Sequence, residues 1–177
     1  MKYKRYHIKK GRHYSNRAHL GLTLSNDHTV TACFDKNCLY QIEGEDSKDI
    51  NKLFGFSTAW HHHVQSVRLG WRCLDGKGIE ILTYPHDAEV EEGKTEKEIN
   101  FEGIFLLDTV EPKQPFECQI MNHRDEFTFY YRSGEYENMA NIPKLSYHFT
   151  FIHYYLYPYF GGNKRAPHDM DIYMKYT

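Results

Sequence analysis

The feature that most constrains this chain is a period-two alternation of apolar and polar residues, which places residues i, i+2 and i+4 on one face of a pleated strand. Ala18, Leu20, Leu22 and Leu24 form one apolar row against Arg17, His19 and Thr23, so this segment reads as a half-buried strand. Phe116, Cys118 and Ile120 repeat the pattern. Met170, Ile172, Met174 and Tyr176 alternate with Asp171, Tyr173 and Lys175 in what reads as the last strand. Further strands are expected near Lys4–Ile8, Thr29–Phe34, Val64–Cys73, Ile79–Tyr84, Ile104–Thr109 and Phe127–Arg132. Leu145–Tyr159 is a long aromatic run ended by Pro158 and Gly161-Gly162, and it reads as a strand, a long turn and a returning strand. Helical spacing is nowhere sustained over three turns, and Asp46–Phe54, with Ser47 as a cap, is the place for one short helix. Many short strands separated by Gly, Pro, Asn and Asp point away from βαβ units and toward an all-β fold, an antiparallel β-sandwich with at most one or two short helices.

The 177 residues suit one domain over 1–177, with no internal repeat or linker. Aromatics reach 16%, with Tyr 15 and Phe 11, a bias that favours strands. A formal charge of -2 gives no global field to collect nucleic acid or an anionic membrane. Locally, Lys2 to Arg17 carries only basic charges and Asp87 to Glu102 mostly acidic ones; the basic arm reads as a solvated terminus, with contact to phosphate or an acidic partner as the alternative. The absence of an apolar run of roughly 20 residues predicts no membrane span. The Lys/Arg-rich start lacks the apolar stretch of a signal peptide, so the chain is expected to be cytoplasmic as synthesised. Cys33, Cys38, Cys73 and Cys118 are too sparse for a disulfide framework and are expected as buried thiols. Cys33 and Cys38 have no second matching pair, so no metal is expected there.

The segment His61–His86 permits a register argument. Asp75-Gly76-Lys77-Gly78 is a strong turn signal. An odd loop pairs Cys73 with Ile79, Trp71 with Ile81 and Leu69 with Thr83 on a mainly apolar inner face. An even loop mixes charge and core on both faces, so burial favours the odd register. The opposite face then carries Arg72 against Glu80, Arg68 against Tyr84 and Ser66 near His86, with His62 extending the row. As a functional surface this is a polar platform for hydroxyl, carboxylate or phosphate groups. As a structural one it is an exposed sheet face with an ordinary Arg72–Glu80 cross-strand ion pair.

Other signals carry less. His61, His62 and His63 are consecutive, and strand neighbours point in opposite directions, so a metal would need ligands from elsewhere, such as His86, His168 or Asp169. No nucleophile elbow accompanies the Ser, His and Asp residues, and Gly161-Gly162 has neither a phosphate-loop pattern nor a following helix. No cofactor is expected. His148-Phe149-Thr150 fits the short element of two-histidine phosphodiesterases, but its required second copy is missing.

The GRHYS segment at Gly11–Ser15, the HHHVQSVRLGWR stretch at His61–Arg72 and YPYFGGNKRAPHDMDIYMK at Tyr157–Lys175 together resemble an uncharacterised family of bacterial and phage-associated proteins. The resemblance implies a fold similar to the concanavalin A-like jelly roll, whose curved face often holds sugars. That fold also hosts alginate-lyase-like enzymes, in which arginine and a glutamine or asparagine neutralise a uronate carboxylate while histidine and tyrosine handle protons. Gln65, Arg68, Tyr84 and His86 offer those residue types. The lyases' Gln-x-His strand and Tyr-x-Lys-containing last strand are absent, so the reaction does not carry across with the fold.

Three functions follow as expectations. The first is a non-catalytic recognition or structural module, carbohydrate-binding or part of a phage or cell-surface assembly, with Trp71, Tyr84, Tyr157 and Tyr159 as stacking surfaces. The second is an enzyme acting on a polysaccharide or other anionic substrate, with His86 or His62 as acid/base and Arg68 and Arg72 as anion clamps. The third is a phage-type inhibitor that sequesters a nucleotide. The binding residues expected under these readings are His62, Ser66, Arg68, Arg72, Glu80, Tyr84 and His86; a virion-associated location accompanies the phage readings.

Overall fold

A computed structural model of the chain describes residues 2–17, 21–58, 62, 65–74, 76–87, 103–144 and 152–177. Its strands are β1 (Lys4–Ile8), β2 (Leu22–Thr23), β3 (Asp27–Phe34), β4 (Asn51–Ser57), β5 (Gln65–Leu74), β6 (Gly78–Asp87), β7 (Leu106–Val110), β8 (Phe116–Asn122), β9 (Glu126–Ser133), β10 (Tyr136–Pro143), β11 (His153–Leu156) and β12 (Met170–Tyr176). They form two antiparallel six-stranded sheets, in the orders β1-β12-β3-β8-β9-β10 and β2-β11-β4-β5-β6-β7. The all-β sandwich expected from the alternation is the observed architecture. Among the described residues, helix is confined to two 3-10 turns, Lys36–Cys38 and Glu45–Lys48. No described helix is long and apolar enough to cross a membrane.

The core lies between the sheets and is made by the alternating rows. Val30, Ala32 and Phe34 of β3, Phe116, Cys118 and Ile120 of β8, and Met170, Ile172 and Met174 of β12 are buried from one sheet. Val67, Leu69, Trp71 and Cys73 of β5 and Ile79 and Ile81 of β6 are buried from the other. Trp71 packs its ring against Phe34 at 5.0 Å, Tyr40 at 5.9 Å and Phe160 at 6.4 Å, joining both sheets and the loop before β12. Each such side chain contributes roughly 1.5–3 kcal/mol when fully buried.

Several expectations are corrected. Asp46–Phe54 is not a helix: its first part is a 3-10 turn and the rest is β4. Leu53, Phe54, Gly55 and Phe56 are buried in succession, because the register of β4 against β5 shifts between Lys52 and Phe54 and because Gly55 packs against the β5 backbone. The register shift breaks the alternation by which a strand is recognised. Ser47 caps nothing; its hydroxyl donates to the Gly44 carbonyl at 2.7 Å. The Ala18–Leu24 row is not half-buried, since Leu22 and Leu24 are 64% and 75% exposed and β2 is a two-residue edge strand; Ala18–Leu20 lie outside the described residues. In the aromatic run, β11 covers His153–Leu156, while residues 145–151, including His148-Phe149-Thr150, lie outside the described residues. The edge strand β10 had no sequence counterpart.

Candidate functional site

The hairpin adopts the odd register. Cys73 pairs with Ile79, Trp71 with Ile81, Arg72 with Glu80, Arg68 with Tyr84 and Ser66 with His86. Because Val67, Leu69 and Trp71 fill the core, Ser66, Arg68 and Arg72 lie on the opposite face of the second sheet. That row is divided. Gly70 sits between Arg68 and Arg72, and a methyl placed on it would meet the Ile50 side chain at 2.5 Å, so Ile50 covers the middle of the face. Beyond Ile50, Arg72 Nε donates to Glu80 Oε2 at 2.6 Å and its Nη1 to the Lys48 carbonyl at 3.3 Å. This pair is closed off as a structural fastening between the hairpin and the 45–48 turn.

On the other side of Ile50, Ser66 is fully buried and donates to the His62 carbonyl at 2.8 Å, which fixes the approach to β5. His86 is buried beside it at 7% exposure. His61 and His63 lie outside the described residues. Gln65, offered by the lyase resemblance as a carboxylate partner of Arg68, lies on the core side of the strand, where its Oε1 accepts from Thr58 Oγ1. Trp71 is likewise a core residue and has no free face for a sugar.

What remains is a cationic centre. Arg68 is partly buried, and its Nε is out of solvent with no hydrogen-bond partner among the described residues. The titratable groups acting on it are the phenols of Tyr84, Tyr154 and Tyr159, none of them carboxylates; burial outweighs them and lowers its pKa. Lys52 of β4 lies at the same place. Its Nζ donates to the Ile50 carbonyl at 2.9 Å and stands 4.5 Å from the Tyr84 ring centre and 6.0 Å from that of Tyr159. Burial, then repulsion from Arg68, brings Lys52 down to about 8 against a smaller pull from Asp49. Among the described residues no carboxylate oxygen lies within 4 Å of either cation.

The fold assembles this centre from distant segments. Tyr84 arrives opposite Arg68 on β6. Tyr154 faces Ser57 from β11. Tyr159 bridges both Lys52 and Tyr14, exchanging two backbone hydrogen bonds with Lys52 at 2.9 Å each. Gly161-Gly162 makes this approach possible. A methyl on Gly161 would lie 2.4 Å from the Ile50 carbonyl and 2.8 Å from Lys52 Nζ, and Gly162 has φ +75° with Asp49 packed against it. The glycine pair, which carries no phosphate-loop signature, therefore serves to seat Tyr159 beside Lys52.

No protein-family model and no curated protein sequence matches the chain. Among solved structures it is similar to the alginate lyase Aly36B (TM-score 0.55, 13% identity, covering 98% of this chain and 78% of that one). It is similar also to the alginate lyase vAL-1 from Chlorella virus (TM-score 0.53, 12% identity, 98% and 82%) and to the alginate lyase from Klebsiella pneumoniae (TM-score 0.54, 12% identity, 85% and 59%). The likeness is one of fold. Variants of Aly36B were solved in complex with alginate trisaccharide and tetrasaccharide.

Of the site, sequence reasoning found Arg68, Tyr84 and Tyr159 and missed Lys52 and Tyr154. Lys52 lies where the register of β4 shifts and alternation breaks, and Tyr154 gains its place only through pairing of β11 with β4. Cys38 donates its thiol to the Asp171 carbonyl, and no cluster of three metal-ligating residues occurs among the described residues.

Proposed function

We propose that the face of the second sheet centred on Arg68 and Lys52 binds an acidic saccharide. The observation that carries the reading is the pair of partly buried cations with no carboxylate oxygen within 4 Å among the described residues and with tyrosines beside them. Two like charges in one desolvated place cost stability unless an anion completes the site. Arginine supplies paired donors suited to a carboxylate, lysine a point charge, and tyrosines supply both ring faces and hydroxyl donors to a sugar. The fold shared with proteins solved with alginate oligosaccharides supports a chain of uronate residues as the ligand. Calorimetry with alginate tetrasaccharide tests this. Binding is expected for the native protein, with a loss of about tenfold or more in Arg68→Ala; no heat of binding, or equal affinity in the two proteins, overturns the reading.

A second reading, eliminative cleavage of the same ligand, is favoured by the lowered pKa of Lys52. A neutral amine at that position can take the proton α to a uronate carboxylate neutralised by Arg68; the C–O bond to the leaving sugar then breaks as a C=C bond forms, and a tyrosine hydroxyl protonates the departing oxygen. The two readings differ in sign with pH. Binding needs the ammonium and weakens as pH rises through about 8, whereas a lysine base is active when neutral, so cleavage followed by ultraviolet absorbance of the new double bond rises through about 8. No absorbance change at any pH sinks the enzymatic reading and leaves the binding one.

A further inference from the structure

The GRHYS segment has no part in the cationic centre, yet it is held against it. Gly11 N–H donates to the Ala166 carbonyl at 2.8 Å, Ala166 N–H to the Arg12 carbonyl at 3.1 Å, and Phe160 N–H to the His13 carbonyl at 2.8 Å. His13 Nδ1 donates to the Phe160 carbonyl at 2.8 Å and its ring stacks on Tyr159, 5.3 Å between centres at 12°. Tyr14 meets Tyr159 edge to face at 5.0 Å and 72°. Tyr159 is thus flanked by His13, by Tyr14 and by the ammonium of Lys52 at 6.0 Å.

Tyr14 is 68% exposed although its backbone belongs to this rigid ladder. A large aromatic in solvent on an ordered segment presents a preformed ring face, and little conformational entropy is lost when a ligand covers it. The stack continues from the cations outward: Lys52 with Arg68, then Tyr159, then Tyr14.

We infer that Tyr14 forms a neighbouring sugar-stacking subsite, so that the protein takes an oligosaccharide, with one residue's acid group at Arg68 and Lys52 and an adjacent ring on Tyr14. This rests on the acidic-saccharide reading and adds chain length as a determinant of affinity. The cationic centre recognises charge; the Tyr14 face recognises the apolar side of a pyranose ring and makes no demand on charge.

The test compares mannuronate monosaccharide with alginate tetrasaccharide, by calorimetry, on the native protein and on Tyr14→Ala, Tyr14→Phe and Arg68→Ala. Tyr14→Ala is expected to weaken tetrasaccharide binding about three- to tenfold, the range of one aromatic contact, while Tyr14→Phe keeps the native affinity. Any monosaccharide binding should be unaffected by Tyr14→Ala. Thermal melts check that the Tyr14 variants fold as the native chain does. Native tetrasaccharide affinity in a folded Tyr14→Ala protein overturns the subsite and leaves the acidic-saccharide reading standing, provided Arg68→Ala still loses affinity. Equal losses in Tyr14→Ala and Tyr14→Phe overturn stacking in favour of a hydroxyl contact. Absence of tetrasaccharide binding to the native protein overturns both.

Discussion

Lys52 sits at about 8, below the ordinary lysine value of 10.5, because burial and then Arg68 oppose its charge. The unfolded chain therefore holds more protons than the folded one between those two values. The penalty of this side chain on the folded state is complete below about pH 8 and disappears as pH rises through 10.5. Lys52→Met removes the penalty: at neutral pH the variant is expected to gain about 1–2 kcal/mol in urea denaturation, while its tetrasaccharide affinity falls and loses its dependence on pH near 8. A variant no more stable than the native chain would show that Lys52 is well compensated in place. Neither cation could be assigned its role from residue type alone. Arg68 and Arg72 are two positions apart on one face, yet Arg72 is spent on Glu80 and Lys48 while Arg68 meets only phenols. What separates them is Ile50 lying over Gly70, a contact between segments that the hairpin sequence does not contain.

Among the elements, β1 and β12 are fastened by a polar cluster on the outer face of their sheet. Asp171 accepts from Arg5 Nε at 2.7 Å, His7 Nδ1 at 2.8 Å and Asn37 Nδ2 at 3.1 Å. Burial raises its pKa, but the hydrogen bonds from Arg5, His7 and Asn37 outweigh this and hold it at about 2. A carboxyl depressed from 3.8 contributes stability that is fully present above the unfolded value and is lost as pH falls from there toward 2. Asp171→Asn is expected to cost about 1–2 kcal/mol at neutral pH after solvent screening, a difference that shrinks as denaturation curves are taken down through that window. A constant difference across it would mean that shape, not charge, holds the cluster. The elements themselves were legible wherever one face was buried and the other wet. Strands β1, β3, β8, β9 and β12 and the β5–β6 hairpin fall where alternation places them. The failures are β4, whose register shifts between Lys52 and Phe54, β10, an edge strand with Tyr136 and Met139 exposed, and the row ending in the exposed Leu22 and Leu24. In β10 the faces do alternate, but Tyr136 and Met139 are exposed while Asn138 is half-buried, so residue type does not follow face as period-two reading requires.

At the scale of the whole molecule, the sandwich brings together residues that span the chain: Lys52, Arg68, Tyr84, Tyr154 and Tyr159 gather in one place, with Tyr14 against Tyr159. An anion bound there relieves the repulsion between Lys52 and Arg68, so alginate tetrasaccharide is expected to raise the melting temperature of the native protein with the logarithm of its concentration above Kd and to leave that of Arg68→Ala nearly unmoved. Equal shifts in both proteins would place the ligand elsewhere. The amino-acid sequence by itself determined the all-β class, most strand positions, and the register that turns Trp71 inward and Arg68 outward. These depend on local periodicity and on a turn only three residues long between Leu74 and Gly78. Only the tertiary structure decided which outward residues come together. It brought Lys52 and Tyr159 to Arg68 through the glycine pair at 161–162 and closed Arg72 behind Ile50; it also sent Gln65 into the core side. The physical reason is that a site of this kind is defined by desolvation and missing counter-charges, which depend on contacts among strands β4, β5, β6 and β11 rather than on any one segment.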